Sequence, residues 1–237
     1  TDVNDAVKAT IEKASMTTLN APEEVELAEL LIGLHPWAEM VRFGRCGGES
    51  MAIAVRIARA HTKRDLIAFC GYHGWHDWYL SANLRDERVL DQHLLAGLEP
   101  AGVPRGLVGT MQPFRYNCLE DLHKIIKKNR NLAAIVMEPI RGQVPNSGFL
   151  EEVREIASRT GAVLIFDEVT SGFRINTGGI HLELNIVPDI AVFAKAIGNG
   201  FPISAIVGKA KVMKSAQDSF ISSTFWTERI GPTAGLK

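Results

Sequence analysis

The chain has 237 residues, of which 46% are hydrophobic and 22% charged, with a net charge of −1; this is ample for a sizeable core. Acidic and basic residues are evenly mixed, which leaves no electrostatic basis for binding nucleic acid or a membrane surface. Three widely spaced cysteines, Cys46, Cys70 and Cys118, without a CxxC pair argue against a disulfide framework or a zinc knuckle and favour a reducing cytoplasm.

In chain order the sequence predicts a helix over 23–34, a strand over 40–43 and a helix over 49–61, in which Ile53, Ile57 and Ala60 recur at spacings that give one buried face. A strand over 66–70 follows, and then a stretch at 81–113 that carries Pro100, Pro104 and several glycines and reads as a long excursion rather than a linker. Beyond it come a helix over 119–129, a strand over 133–137, a helix over 150–160, strands over 163–166, 190–193 and 204–207, and a helix over 210–216. The alternation predicts an α/β fold, one domain over 1–237 built on a mostly parallel sheet flanked by helices. No apolar run approaches the roughly 20 residues of a transmembrane helix, and no secretory signal is expected. The chain starts at Thr1, and Gly235-Leu236-Lys237 reads as the start of a helix, so a fragment of something longer is expected.

The chemistry gathers at strand ends. Gly44-Arg45-Cys46-Gly47-Gly48-Glu49-Ser50 joins the 40–43 strand to a helix, where unpartnered N–H groups and the helix dipole favour an anion. The segment reads as a phosphate cradle or as tight backbone packing; it lacks the Gly-Lys-Ser/Thr ending of a P-loop and the third glycine of GxGxxG. After the 66–70 strand, Gly71-Tyr72-His73-Gly74-Trp75-His76-Asp77-Trp78 brings aromatics to the edge where open α/β sheets bind ligands. One of them could stack on a planar ring, or Trp75 and Trp78 could simply pack in the core. A metal set of His73, His76 and Asp77 has no further spaced ligand motif such as HExxH beside it.

Asp167 directly follows a buried strand, which costs free energy unless the carboxylate has a cationic partner. A protonated pyridine nitrogen would be one. The alternatives are a cap on the following turn and a Walker B magnesium carboxylate, for which no Walker A loop is present. Lys195 follows the 190–193 strand and reads either as a solvated lysine or as a nucleophile whose amine is freed by burial. The glycines behind it leave room for a flat ligand.

Cys46-Gly47-Gly48-Glu49-Ser50, Tyr72-His73-Gly74, Glu138-Pro139, Asp167-Glu168-Val169, Ala194-Lys195-Ala196-Ile197-Gly198-Asn199-Gly200 and Ser223-Thr224-Phe225 occur in the order seen in class III aminotransferases. The sequence resembles that family over about residues 20 to 237. It is most similar to the branch containing glutamate-1-semialdehyde 2,1-aminomutase, through Tyr-His-Gly-Trp-His-Asp and Pro145-Asn146-Ser147-Gly148-Phe149-Leu150.

The resemblance implies the large, cofactor-binding domain of a fold-type-I pyridoxal 5'-phosphate enzyme, with most of a smaller domain built from both chain ends absent. It implies backbone N–H groups of Gly47 and Gly48 on the cofactor phosphate, Tyr72 stacked on one ring face, Val169 packed on the other and Asp167 on the pyridine nitrogen. Lys195 would carry the cofactor as a Schiff base and then move a proton, His73 would belong to the cofactor site, and Thr224 would reach the phosphate of a neighbouring subunit's cofactor. Glu138 would be a group on the substrate side or a carboxylate fixing a nearby loop. A homodimer, a small-molecule amino donor, an oxo acceptor and no metal are implied. The expected reaction is amino transfer, with an intramolecular aminomutase and a truncated non-catalytic cofactor-binding domain as alternatives; a nicotinamide-dependent dehydrogenase lacks its GxGxxG turn and ribose-binding acid. Two departures stand out. The family's Ser-Gly-Thr/Ser-Glu-Ala is Cys46-Gly47-Gly48-Glu49-Ser50, which removes a phosphate-binding hydroxyl, and its Gly-Gly-Asn-Pro is replaced by Trp226-Thr227-Glu228-Arg229-Ile230-Gly231-Pro232.

Overall fold

The structure, a computed structural model, describes residues 1–86, 88–93 and 96–237. Its strands are β1 (Met40–Gly44), β2 (Leu66–Cys70), β3 (Met111–Pro113), β4 (Leu132–Met137), β5 (Val163–Asp167), β6 (Ile190–Phe193) and β7 (Ser204–Gly208). The helices are α1 (Asp2–Lys13), α2 (Pro22–Leu34), α3 (Gly47–Thr62), α4 (Asp77–Leu80), α5 (Leu119–Lys128), α6 (Phe149–Thr160), α7 (Ile180–Glu183), α8 (Ala210–Met213) and α9 (Ile230–Leu236).

The strands form one sheet in the order β1-β7-β6-β5-β4-β2-β3, in which β7 runs antiparallel to both its neighbours and the other pairings are parallel. Every residue of β4, β5, β6 and β7 is buried, as expected of strands covered on both faces. Successive side chains point to opposite faces. Ala134 and Val136 of β4 therefore pack with Ile53 and Ile57 of α3, whereas Ile135 and Met137 pack with Leu122 of α5 and Val153 of α6. A third cluster sets Leu27 and Leu31 of α2 against Phe193 and Ala205.

The predicted strands are all present, and the sheet is the mostly parallel one expected. The helix predicted over 210–216 is shorter: α8 stops at Met213 and a 3-10 turn, Lys214–Asp218, follows. Among its described residues the irregular stretch at 81–113 holds three 3-10 turns, and it ends in β3, which extends the sheet beyond β2. Because β1, β2, β4, β5 and β6 all point the same way, their carboxyl ends deliver Gly44, Cys70, Met137, Asp167 and Phe193 to a single edge. No helix of the described residues is long and apolar enough to cross a membrane.

Candidate active site

A cavity of about 660 Å³ opens at that edge. Its walls include Gly47 and Gly48 from the start of α3, Tyr72 and His73 after β2, Glu138 after β4, Asp167 and Val169 at the end of β5, and Lys195 after β6. Eight of the nine residues singled out for the site thus meet in one place. Thr224, the ninth, sits exposed on a turn outside this cavity.

The start of α3 is held open by its own cap. Glu49 accepts the backbone N–H groups of Arg45 at 2.6 Å and Cys46 at 3.3 Å, and Cys46 completes a capping box with the N–H of Glu49. Ser50 and Ser204 share a hydroxyl contact of 2.7 Å, and Ser204 donates to the Cys46 carbonyl at 3.2 Å, so β7 anchors the helix entrance. Among the described residues the N–H groups of Gly47 and Gly48 have no protein acceptor. A Cβ at Gly47 would stand 3.0 Å from Val169 Cγ1, so only glycine lets the backbone approach this wall. Such a terminus is suited to an anion.

Asp167 lies on the cavity floor, nearly fully buried. Its Oδ1 accepts the Val169 N–H at 3.0 Å and its Oδ2 lies 2.8 Å from His73 Nδ1. The other ring nitrogen of His73 faces the Cys70 carbonyl at 3.2 Å. The partner expected for Asp167 was a ligand nitrogen; the structure adds a hydrogen bond with the buried ring of His73. Trp78 is buried whereas Trp75 is exposed.

Of the two readings of Lys195, the buried one fails. The residue is exposed rather than buried, because the chain leaves β6 at Phe193 and turns through a 3-10 segment, Lys195–Gly198, with Lys195 itself at φ +52°. That left-handed backbone, uncommon for a residue with a side chain, stands the lysine on the cavity rim, where Nζ donates to Thr170 Oγ1 at 3.1 Å. Thr170 is a contact that sequence reasoning missed, hidden by its place after the more conspicuous Asp-Glu-Val run.

Glu138 is buried, and burial pushes its carboxyl above the ordinary value although His73 and Arg141 oppose the shift. Its two oxygens accept the Tyr72 N–H at 3.1 Å and Arg141 Nη1 at 2.7 Å, so it fixes the Tyr72 loop and also lines the cavity. Glu168, adjacent to Asp167, points away and serves the fold. It accepts from Ser171 Oγ at 3.0 Å, Ile180 N at 2.6 Å and His181 N at 3.2 Å, and pairs with His181 Nδ1.

His93 supports the same loop from below, its Nδ1 accepting the Gly71 N–H at 3.2 Å. Burial, aided by His73, lowers its pKa from 6.5 to about 4. The unfolded chain thus binds a proton here that the native state refuses. Stability from this group is full above pH 6.5 and is lost as pH falls through about 4. The unfolding temperature should drop across that window, by at most about 1.4 kcal/mol of stability per pH unit, and His93→Gln should flatten the slope in pH-dependent thermal denaturation. An unchanged slope in that variant would contradict the assignment.

The family model for class-III aminotransferases matches residues 1–234. The chain belongs to that family. It is 35% identical over 245 residues to the 3-aminobutyryl-CoA aminotransferase of Cloacimonas acidaminovorans, covering 100% of this chain and 55% of that protein. It is 37% identical over 223 residues to the glutamate-1-semialdehyde 2,1-aminomutase of Ignicoccus hospitalis, covering 90% of this chain and 52% of that protein. This class-III chain spans about half the length of the curated relatives it matches. Among solved structures, an omega-transaminase from Sphaerobacter thermophilus superposes with a TM-score of 0.87 at 29% identity, covering 99% of this chain and 57% of that one. The internal aldimine form, with PLP, of the FumI protein from Sphingopyxis sp. MTA144 gives 0.87 at 26% identity, covering 100% and 55%. The class-III assignment agrees with the α/β sheet and with the expected family, while the relatives divide between aminotransferase and aminomutase.

Proposed function

We propose that this chain binds pyridoxal 5'-phosphate in the 660 Å³ cavity and serves transfer of an amino group between a small amino donor and an oxo acceptor. The observation that carries the reading is the convergence, at one sheet edge, of an exposed lysine amine, a buried carboxylate and two unclaimed helix N–H groups. Each matches one part of that cofactor: an aldehyde that an amine can attack, a pyridine nitrogen and a phosphate. When bound, the cofactor supplies a ring that can take up an electron pair from a substrate carbon.

The chain's own residues do the rest. Lys195 would hold the cofactor through its Nζ, and the free amine would be the base for a substrate α-proton. Asp167, steadied by Val169 and His73, would hold a proton on the pyridine nitrogen. Tyr72 and Val169 would flank the ring, and the N–H groups of Gly47 and Gly48 would hold the phosphate. Residues 1–237 are read as the cofactor-binding domain. A second copy of the chain completes the site through Thr224; the exposure of Phe220, Phe225 and Trp226 around that turn supports this.

Similarity to both 3-aminobutyryl-CoA aminotransferase and glutamate-1-semialdehyde aminomutase supports amino-group chemistry without choosing its form. Intermolecular transfer is the reading preferred. The test is to load the protein with pyridoxal phosphate, supply a panel of α-, β- and ω-amino donors, and follow oxo product and pyridoxamine phosphate together. Equal amounts of the two support transfer. Isomerisation of a substrate with no oxo product released favours the aminomutase, and cofactor binding without conversion of any donor favours a non-catalytic domain.

A further inference from the structure

The phosphate cradle contains only backbone donors at Gly47 and Gly48, but it is not bare of side chains. The ring of His76 fills the room in front of Gly48: a Cβ at that position would lie 3.0 Å from His76 Cδ2 and 3.2 Å from Nε2. His76 lies on the wall shared by this cavity and its 690 Å³ neighbour, with the Trp75 ring stacked on it at 4.8 Å between centroids. Its backbone is committed, since the His76 carbonyl accepts the N–H groups of Tyr79 at 2.9 Å and Leu80 at 3.1 Å at the start of α4. Its ring is not: among the described residues neither nitrogen has a hydrogen-bond partner. The nearby hydroxyl of Ser50 is occupied by Ser204, and the Glu49 carboxylate by the Arg45 and Cys46 N–H groups.

We propose that His76 is the side-chain donor to the cofactor phosphate, its ring N–H standing where a side chain at position 48 would otherwise supply a hydroxyl. The inference rests on the cofactor assignment above and deepens it: Gly48 and His76 form a matched pair, the absence of one side chain making space for the other. A threonine or serine at 48 would collide with the ring unless the histidine were removed.

The test compares pyridoxal phosphate with pyridoxal, which has the same ring and aldehyde but no phosphate. Affinities are measured by absorbance titration, and attachment to Lys195 by borohydride reduction. His76→Ala is expected to weaken pyridoxal phosphate about 10-fold, the value of one hydrogen bond to a charged group, and to leave pyridoxal unchanged. His76→Asn, which retains an N–H, should recover most of the loss. Gly48→Ser alone should weaken binding, whereas Gly48→Ser combined with His76→Ala should restore it. An unchanged affinity for pyridoxal phosphate in His76→Ala, or an equal loss for both ligands, overturns the role of His76 while leaving the cofactor site standing. Failure of the unsubstituted chain to attach pyridoxal phosphate at Lys195 overturns both.

Discussion

On the proposed function, replacing Lys195 by alanine should reduce amino-group turnover by roughly 10⁴-fold or more, because one side chain would supply both the covalent attachment and the proton transfer. The fold should scarcely notice. Lys195 is exposed, and its amine makes one hydrogen bond, to Thr170; substitutions at such sites usually stay within about 0.5 kcal/mol. Single-turnover kinetics beside a thermal melt separate the two effects. A variant that loses turnover and stability together would show that the lysine is structural, and one that keeps both would remove it from the chemistry. Added primary amines should restore part of the lost proton transfer in Lys195→Ala, a rescue that an indirect role would not show.

The opposite profile is expected one residue beyond Asp167. Glu168 is fully buried, receives Ser171 Oγ, Ile180 N and His181 N, and pairs with His181, whose Nε2 in turn accepts Trp37 Nε1–H at 2.9 Å. Trp37 can only donate, so His181 must accept at Nε2 and donate from Nδ1 to Glu168. The network ties the segment after β5 to α7 and to the loop after α2. Glu168→Ala strands four donors in the interior and should cost about 3–5 kcal/mol. Glu168→Gln, which keeps one carbonyl acceptor and the shape, should cost less. Chemical denaturation checks this; a loss below about 1 kcal/mol in Glu168→Ala would mean that water enters and satisfies the donors.

These two carboxylates show where the sequence was readable and where it was not. Apolar runs of four to six residues marked β2 and β6 at their observed bounds, because strands covered on both faces leave little room for polar residues. The three-residue β3 carries no such pattern and ends in Pro113, and α1 buries only Val7 and Thr10, too few for a visible period. At the site, the residues that close onto one edge were legible as motifs after strands. Their partners were not. His73 meets Asp167 across 94 positions, and Glu168 could not be told from Asp167 by composition; it was the alternation of strand faces that sent one to the cavity and the other into the interior. The burial expected of Lys195 failed because a left-handed turn, unmarked by any glycine at that position, lifts it to the rim. The ring of His76 against Gly48 joins two segments that sequence order keeps apart.

The most direct measurement is reduction of the pyridoxal phosphate complex with borohydride, followed by digestion and peptide mass spectrometry. The phosphopyridoxyl group should be found on Lys195 in stoichiometric amount, and it should disappear in Lys195→Ala. A label spread over several surface lysines, or one that survives that substitution, would contradict the assignment of this sheet edge as a cofactor site.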